Sequence, residues 1–86
     1  MKINIEKING LSFDELILLR NEVDIICKGY ANTLTTYAVT HNDPYFNDMD
    51  KDMVKSYERR NDFAKLLIIL NRKVENKIYE DYIEDK

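Results

Sequence analysis

Along most of this chain the apolar residues return every three or four positions, and in two places they do not. From residue 12 to about 41, Leu16, Leu19, Val23, Ile26, Tyr30, Leu34 and Tyr37 follow one another at such steps, the spacing that gathers side chains on one face of an α-helix. Ser12 with Glu15 forms a capping-box pattern at its start. From about 50 to 83, Met53, Tyr57, Ala64, Leu67, Val74, Ile78 and Tyr82 lie near one stripe with no Gly or Pro inside, which predicts a second long helix. Between the two, His41-Asn42-Asp43-Pro44-Tyr45-Phe46-Asn47-Asp48 combines turn formers with the single proline.

The first exception is the start of the chain. Met1, Ile3 and Ile5 alternate with Lys2, Asn4 and Glu6, the period-two pattern of a half-buried strand. Residues 1–10 are therefore expected as an extended arm or strand closed by Asn9-Gly10. The second exception is Leu66-Leu67-Ile68-Ile69-Leu70. Five consecutive helical residues at about 100° each run around the whole circumference, so one neighbouring helix cannot cover them all. Leu16-Ile17-Leu18-Leu19 raises the same problem on the first helix.

These patterns predict an all-α protein: a single domain of residues 1–86 built as an antiparallel hairpin of two long helices, 12–41 and 50–83, with a short extended N-terminal segment. A turn centred near Tyr45 places Phe63 near Cys27, Ile68 near Val23 and Ile78 near Phe13. The apolar circumference is expected to be satisfied by a second copy, giving a dimeric four-helix bundle in which Leu66, Leu67, Ile69 and Leu70 form the core or the dimer seam. Gly29 and the threonines at 33, 35, 36 and 40 lower helix propensity. That leaves a kink near 29, or a local strand within 33–40, open.

Composition narrows the class. With 86 residues, 44% apolar and 34% charged, the chain suits one folded domain and is too apolar for a disordered tail. A net charge of -3 lacks the basic excess of a general nucleic-acid binder. The longest apolar run falls far short of the roughly 20 residues that span a bilayer, so no membrane segment is expected. One cysteine and a polar N-terminal stretch without a secretory signal point to the cytoplasm. Asn, Ile, Lys and Tyr are abundant, a bias suited to AT-rich coding and hence to a phage or mobile element.

Chemistry is sparse. Asp48-x-Asp50-x-Asp52 resembles the opening of a calcium loop, but Met53 stands where Gly is needed and Arg59 where the bidentate Glu belongs. His41 is the one histidine, Cys27 sits on the apolar side of its helix, and neighbouring acids such as Asp14/Glu15 and Glu80/Asp81 diverge by about 100°. There is no phosphate loop, nucleophile elbow or pair of zinc cysteines. The expectation is a non-enzymatic protein without metal or cofactor.

Two features are candidates for binding. Tyr45 and Phe46 put aromatics at the hairpin tip, where they either anchor a partner or fold back over the bundle end. Lys51, Lys55 and Arg59 recur at four-residue steps, with Arg60 beside them, although Asp48, Asp50, Asp52, Glu58 and Asp62 are interspersed. The functional expectation is a homodimeric regulator or inhibitor of another protein. A nucleic-acid-related regulator or acidic DNA mimic, and a structural subunit of a larger assembly, stand as alternatives.

Overall fold

The computed structural model describes residues 2–84, so Met1 of the N-terminal pattern and the last two residues of the expected domain 1–86, Asp85 and Lys86, lie outside the described residues. Three helices follow in order: α1 (Ile5–Asn9), α2 (Phe13–Thr40) and α3 (Lys51–Glu84). The two long helices pack against each other as a hairpin. No strand occurs among the described residues.

The expected extended arm is therefore corrected from Ile5 onward. Asn4 caps a short helix by accepting from the Lys7 amide at 3.2 Å, and Ile8, buried, carries it into the core. Helical spacing from Ile5 to Ile8 wins over the alternation of Ile3 and Ile5 because the helix buries Ile8 and brings Ile3 and Leu11 against the same cluster. A lone strand would have left its backbone groups unpaired.

α2 opens on the predicted capping box. The Glu15 amide donates to Ser12 Oγ at 3.2 Å, and the Ser12 amide donates back to Glu15 Oε1 at 2.9 Å. The helix runs unbroken through Gly29 and the threonine-rich segment 33–40, which settles that segment as helix. Thr33, Thr35 and Thr40 each donate to the carbonyl four residues earlier, Gly29, Ala31 and Thr36, at 3.1, 2.9 and 2.7 Å. Hydroxyls that would compete with the helix in solution are thereby used inside it.

α2 ends in a Schellman motif. Asn42 adopts φ 49, its amide reaches the Val39 carbonyl, and the Asp43 amide reaches the Ala38 carbonyl. Pro44 then forbids continuation. Asp50 starts α3 by accepting from the Met53 amide at 2.9 Å.

The core is narrow. Ile8, Leu16, Val23 and Leu70 form its centre, and Ile3, Leu11, Leu19, Phe63, Leu66, Leu67, Ile69 and Val74 pack around them. Arg20 Nε donates to Asn71 Oδ1 across the pair at 2.8 Å, and Tyr30 stacks on Phe63 with ring centroids 6.0 Å apart. The register thus matches the expected one closely, with one correction. Ile68, expected beside Val23, is 54% exposed, and Leu70 fills the core at that level.

The molecule is long and thin, 55 × 23 × 17 Å with a radius of gyration of 16.6 Å. A compact domain of this length has a radius near ~12 Å. Its accessible surface of 6732 Å² compares with roughly 5,400 Å² for a folded monomer of the same mass. A two-helix hairpin with one short covering helix cannot close a core on all sides.

Candidate functional site

The hairpin tip is organised by Asp43, whose side chain is buried. Its two carboxylate oxygens accept from the Asn47 and Asp48 amides, each at 2.9 Å. Those bonds hold its carboxyl below the usual aspartate range, with a smaller contribution from Tyr37, while burial opposes them. The Tyr37 hydroxyl donates to the Asp48 carbonyl at 2.9 Å. Burial, and then the negative Asp43, Asp50 and Asp48, push the Tyr37 phenol up. His41 stacks on the Tyr37 ring with centroids 4.3 Å apart.

This knot separates the two candidate aromatics. Phe46, at φ 57, folds back between Tyr37 and Tyr57, with ring centroids 6.5 and 5.9 Å away. It closes the end of the hairpin. Tyr45 projects outward and is 82% exposed. Of the pair, Tyr45 alone stands largely in solvent.

The basic set also divides. Lys51, Lys55, Arg59 and Arg60 are all exposed. Lys55 and Arg59 line an open groove of about 540 Å³ with Tyr30, Phe63, Glu58 and Asp62, and Arg59 Nη1 reaches the Tyr30 hydroxyl at 3.5 Å. Arg60 lines a different groove, of about 320 Å³, with Ala31, Leu34, Thr35, Phe46 and Tyr57. Lys55 and Arg59 share one groove and Arg60 lines another, and the first groove sets its two cations beside two carboxylates. Such a surface has little net field for a phosphate backbone.

Leu66, Leu67, Ile69 and Leu70 all lie in or against the core of their own chain, Leu70 with no exposed surface. Of the core and the dimer seam that the sequence reading left open for these four residues, the chain's own core accommodates them, with Ile8 of α1, Leu16, Leu19 and Val23 of α2 and Ile3 in the same cluster. Of the apolar run only Ile68 faces out.

The uncovered apolar residues lie elsewhere. On α2, Leu18, Ile25 and Val39 are 65%, 70% and 76% exposed; on α3, Ile68, Ile78, Tyr79 and Tyr82 are each more than half exposed. The sequence reading noticed Leu18 only as part of a crowded apolar tetrad. The signal that finds the α2 face is the seven-residue step from Leu18 to Ile25, displaced from the main stripe.

Other chemistry stays local. Glu15 is lowered below the usual glutamate range by its bonds to Ser12, and Asp50 serves as a helix cap. Cys27 is half-buried, with Sγ 3.9 Å from the Arg60 carbonyl. Among the described residues no three His, Cys, Asp or Glu side chains converge as a metal site, and no helix is long and apolar enough to cross a membrane. No protein-family model matches this chain, and neither a curated protein nor a solved structure matches it.

Proposed function

We propose that the chain is a non-enzymatic protein-binding module, a homodimeric regulator or inhibitor of another protein, acting in the cytoplasm and encoded by a phage or mobile element. The observation that carries this reading is the shape of the hairpin. It exposes roughly 1,300 Å² more than a compact monomer of its mass, and large apolar side chains stand on the outer faces of both long helices. Exposed apolar side chains gathered on helix faces are characteristic of surfaces that meet other proteins. In this reading the paired helices of two copies form the four-helix assembly. Tyr45 at the tip and the outer face of α3, with Ile68 and Tyr79, meet the partner.

The dimer is tested by light scattering across a size-exclusion peak at two concentrations. The expected mass is twice that of the chain, and a clean monomer at hundreds of micromolar overturns this part. The partner site is tested by capture from native cells with wild-type chain beside the Ile68→Glu/Tyr79→Glu double variant. A protein held by the first and released by the second is expected. Equal retention by both, or retention by neither, overturns the partner face.

A further inference from the structure

We infer that Asn9 is a modification site, where spontaneous deamidation, with water as the only co-reactant, is gated by the opening of α1. The chain has nine asparagines, and Asn9 alone precedes a glycine. Glycine has no side chain to shield its backbone nitrogen and the widest choice of backbone conformation. It is therefore the neighbour best able to attack an asparagine side chain. In that reaction the Gly10 nitrogen gives up its proton and bonds to Asn9 Cγ. The side-chain nitrogen takes up the proton and leaves as ammonia. Water then opens the five-membered succinimide at one of its two carbonyls. One opening leaves aspartate; the other leaves isoaspartate, with the main chain rerouted through the former side chain.

The fold sets when this happens. Asn9 is exposed and is the last residue of α1, with Gly10 as the C-cap at φ -83 and ψ -6. The Gly10 amide donates to the Glu6 carbonyl at 3.1 Å. While α1 is formed, the attacking nitrogen is engaged in the helix, and ring closure needs Asn9 to rotate out of its helical backbone conformation. The gate is weak. α1 has five residues, and isolated helices below roughly 12–15 residues are marginal in water. One buried side chain, Ile8, holds it, packed in the cluster of Leu16 and Leu70. A unit so small opens locally at little cost. Five of the other asparagines lie inside the two long helices, and the amides that follow Asn42 and Asn47 are held by the Ala38 carbonyl and the Asp43 carboxylate.

The two products differ in what they do to the fold. Asn9 shares an open cleft of about 290 Å³ with Lys73, Lys77 and Glu80 of α3. Aspartate at this position stands at the negative end of α1, but beside two ammonium groups and one carboxylate, so it leaves the packing of α1 little changed. Isoaspartate adds a carbon to the main chain between Ile8 and Gly10. The register in which Gly10 bonds Glu6 is then lost, Ile8 loses its hold, and the core around Leu16 and Leu70 is uncovered on that side.

The test ages the purified chain at mildly alkaline pH and follows each asparagine by peptide mapping that separates aspartate from isoaspartate. Wild type, Gly10→Ala and Ile8→Ala are compared in buffer, and wild type also in urea, with far-ultraviolet circular dichroism to check that the long helices persist in buffer. Wild type is expected to gain both products at Asn9 before any other asparagine reacts, and more slowly in buffer than in urea. In Gly10→Ala the added Cβ meets only the Lys7 and Glu6 carbonyls, at ordinary distances of 3.6 and 3.7 Å, so α1 is kept and the reaction at Asn9 is expected to be lost. Ile8→Ala removes the one buried hold on α1 and is expected to react at least about tenfold faster than wild type. Another asparagine reacting first, or no product at Asn9 over weeks, overturns the site. Equal rates in buffer and in urea, or equal rates for wild type and Ile8→Ala, overturn the gate.

Discussion

The Tyr37 hydroxyl donates to the Asp48 carbonyl at 2.9 Å, tying the last turns of α2 to the segment that enters α3. Asp43 lies between them and holds the amides of Asn47 and Asp48. The tip is thus a closed hydrogen-bonded unit, and its loss frees the register of both long helices. Tyr37→Phe is expected to lower the thermal midpoint by a few degrees, and Asp43→Ala to lower it further because two partly buried backbone amide bonds lose their charged acceptor. Thermal unfolding followed by circular dichroism reads both. An unchanged midpoint in Asp43→Ala would show that the knot contributes nothing to stability.

Acid should act through the same residue. Asp43 and Glu15 have carboxyls lowered in the fold, so their contribution is present above their unfolded values, near about pH 4. It is lost as pH falls through the lower folded values. Tyr37 is raised, so its contribution holds below about pH 10 and is lost as pH climbs through its folded value. Urea unfolding from neutral pH to pH 2 is expected to show falling stability in the wild type and a shallower acid slope in Asp43→Asn. Equal slopes would remove Asp43 as the acid-sensitive group.

The apolar run on α3 should divide sharply. Leu70 has no exposed surface, whereas Ile68 is largely in solvent. Leu70→Ala is expected to cost about 2–5 kcal/mol, and Ile68→Ala less than about 0.5 kcal/mol. Chemical denaturation at a dilution that suppresses self-association compares the two. Similar costs would mean that the run meets the core in a different register.

Much of this arrangement was legible in the sequence because periodic burial dictates it. Helix extents, the Ser12/Glu15 box and the hairpin register follow from spacing, and the Arg20–Asn71 bond falls within a residue or so of the expected alignment. What escaped was non-periodic. Ile3 and Ile5 alternate over too short a stretch to outweigh the capping of α1 by Asn4 and the burial of Ile8. The Asp43 knot is made of side-chain to backbone bonds with no repeat to betray it. The cover over Leu66, Leu67 and Ile69 comes partly from the segment read as an arm, so a crowded circumference suggested a second molecule where part of the same chain suffices. Four-residue spacing aligned Lys51, Lys55 and Arg59 with Arg60 beside them, and in the fold Arg60 lines a different groove from Lys55 and Arg59.

Phe46 sets backbone strain against packing at one position. Its φ of 57 is a left-handed conformation that costs a side-chain-bearing residue roughly 1 kcal/mol relative to glycine, and its ring recovers that by lying between Tyr37 and Tyr57. Phe46→Ala removes the ring but keeps the strain, whereas Phe46→Gly removes both. Glycine also gains entropy in the unfolded chain, which trims its advantage. Both variants are expected to be less stable than the wild type, with Phe46→Gly the more stable of the two by up to about 1 kcal/mol. Tyr45→Ala, one residue away and 82% exposed, should leave stability unchanged. Side-by-side denaturation of the three variants reads the order directly. A Phe46→Ala as stable as Phe46→Gly would show that the left-handed turn is not retained once the ring is gone, so that the ring itself, through its place between Tyr37 and Tyr57, is what holds the backbone there.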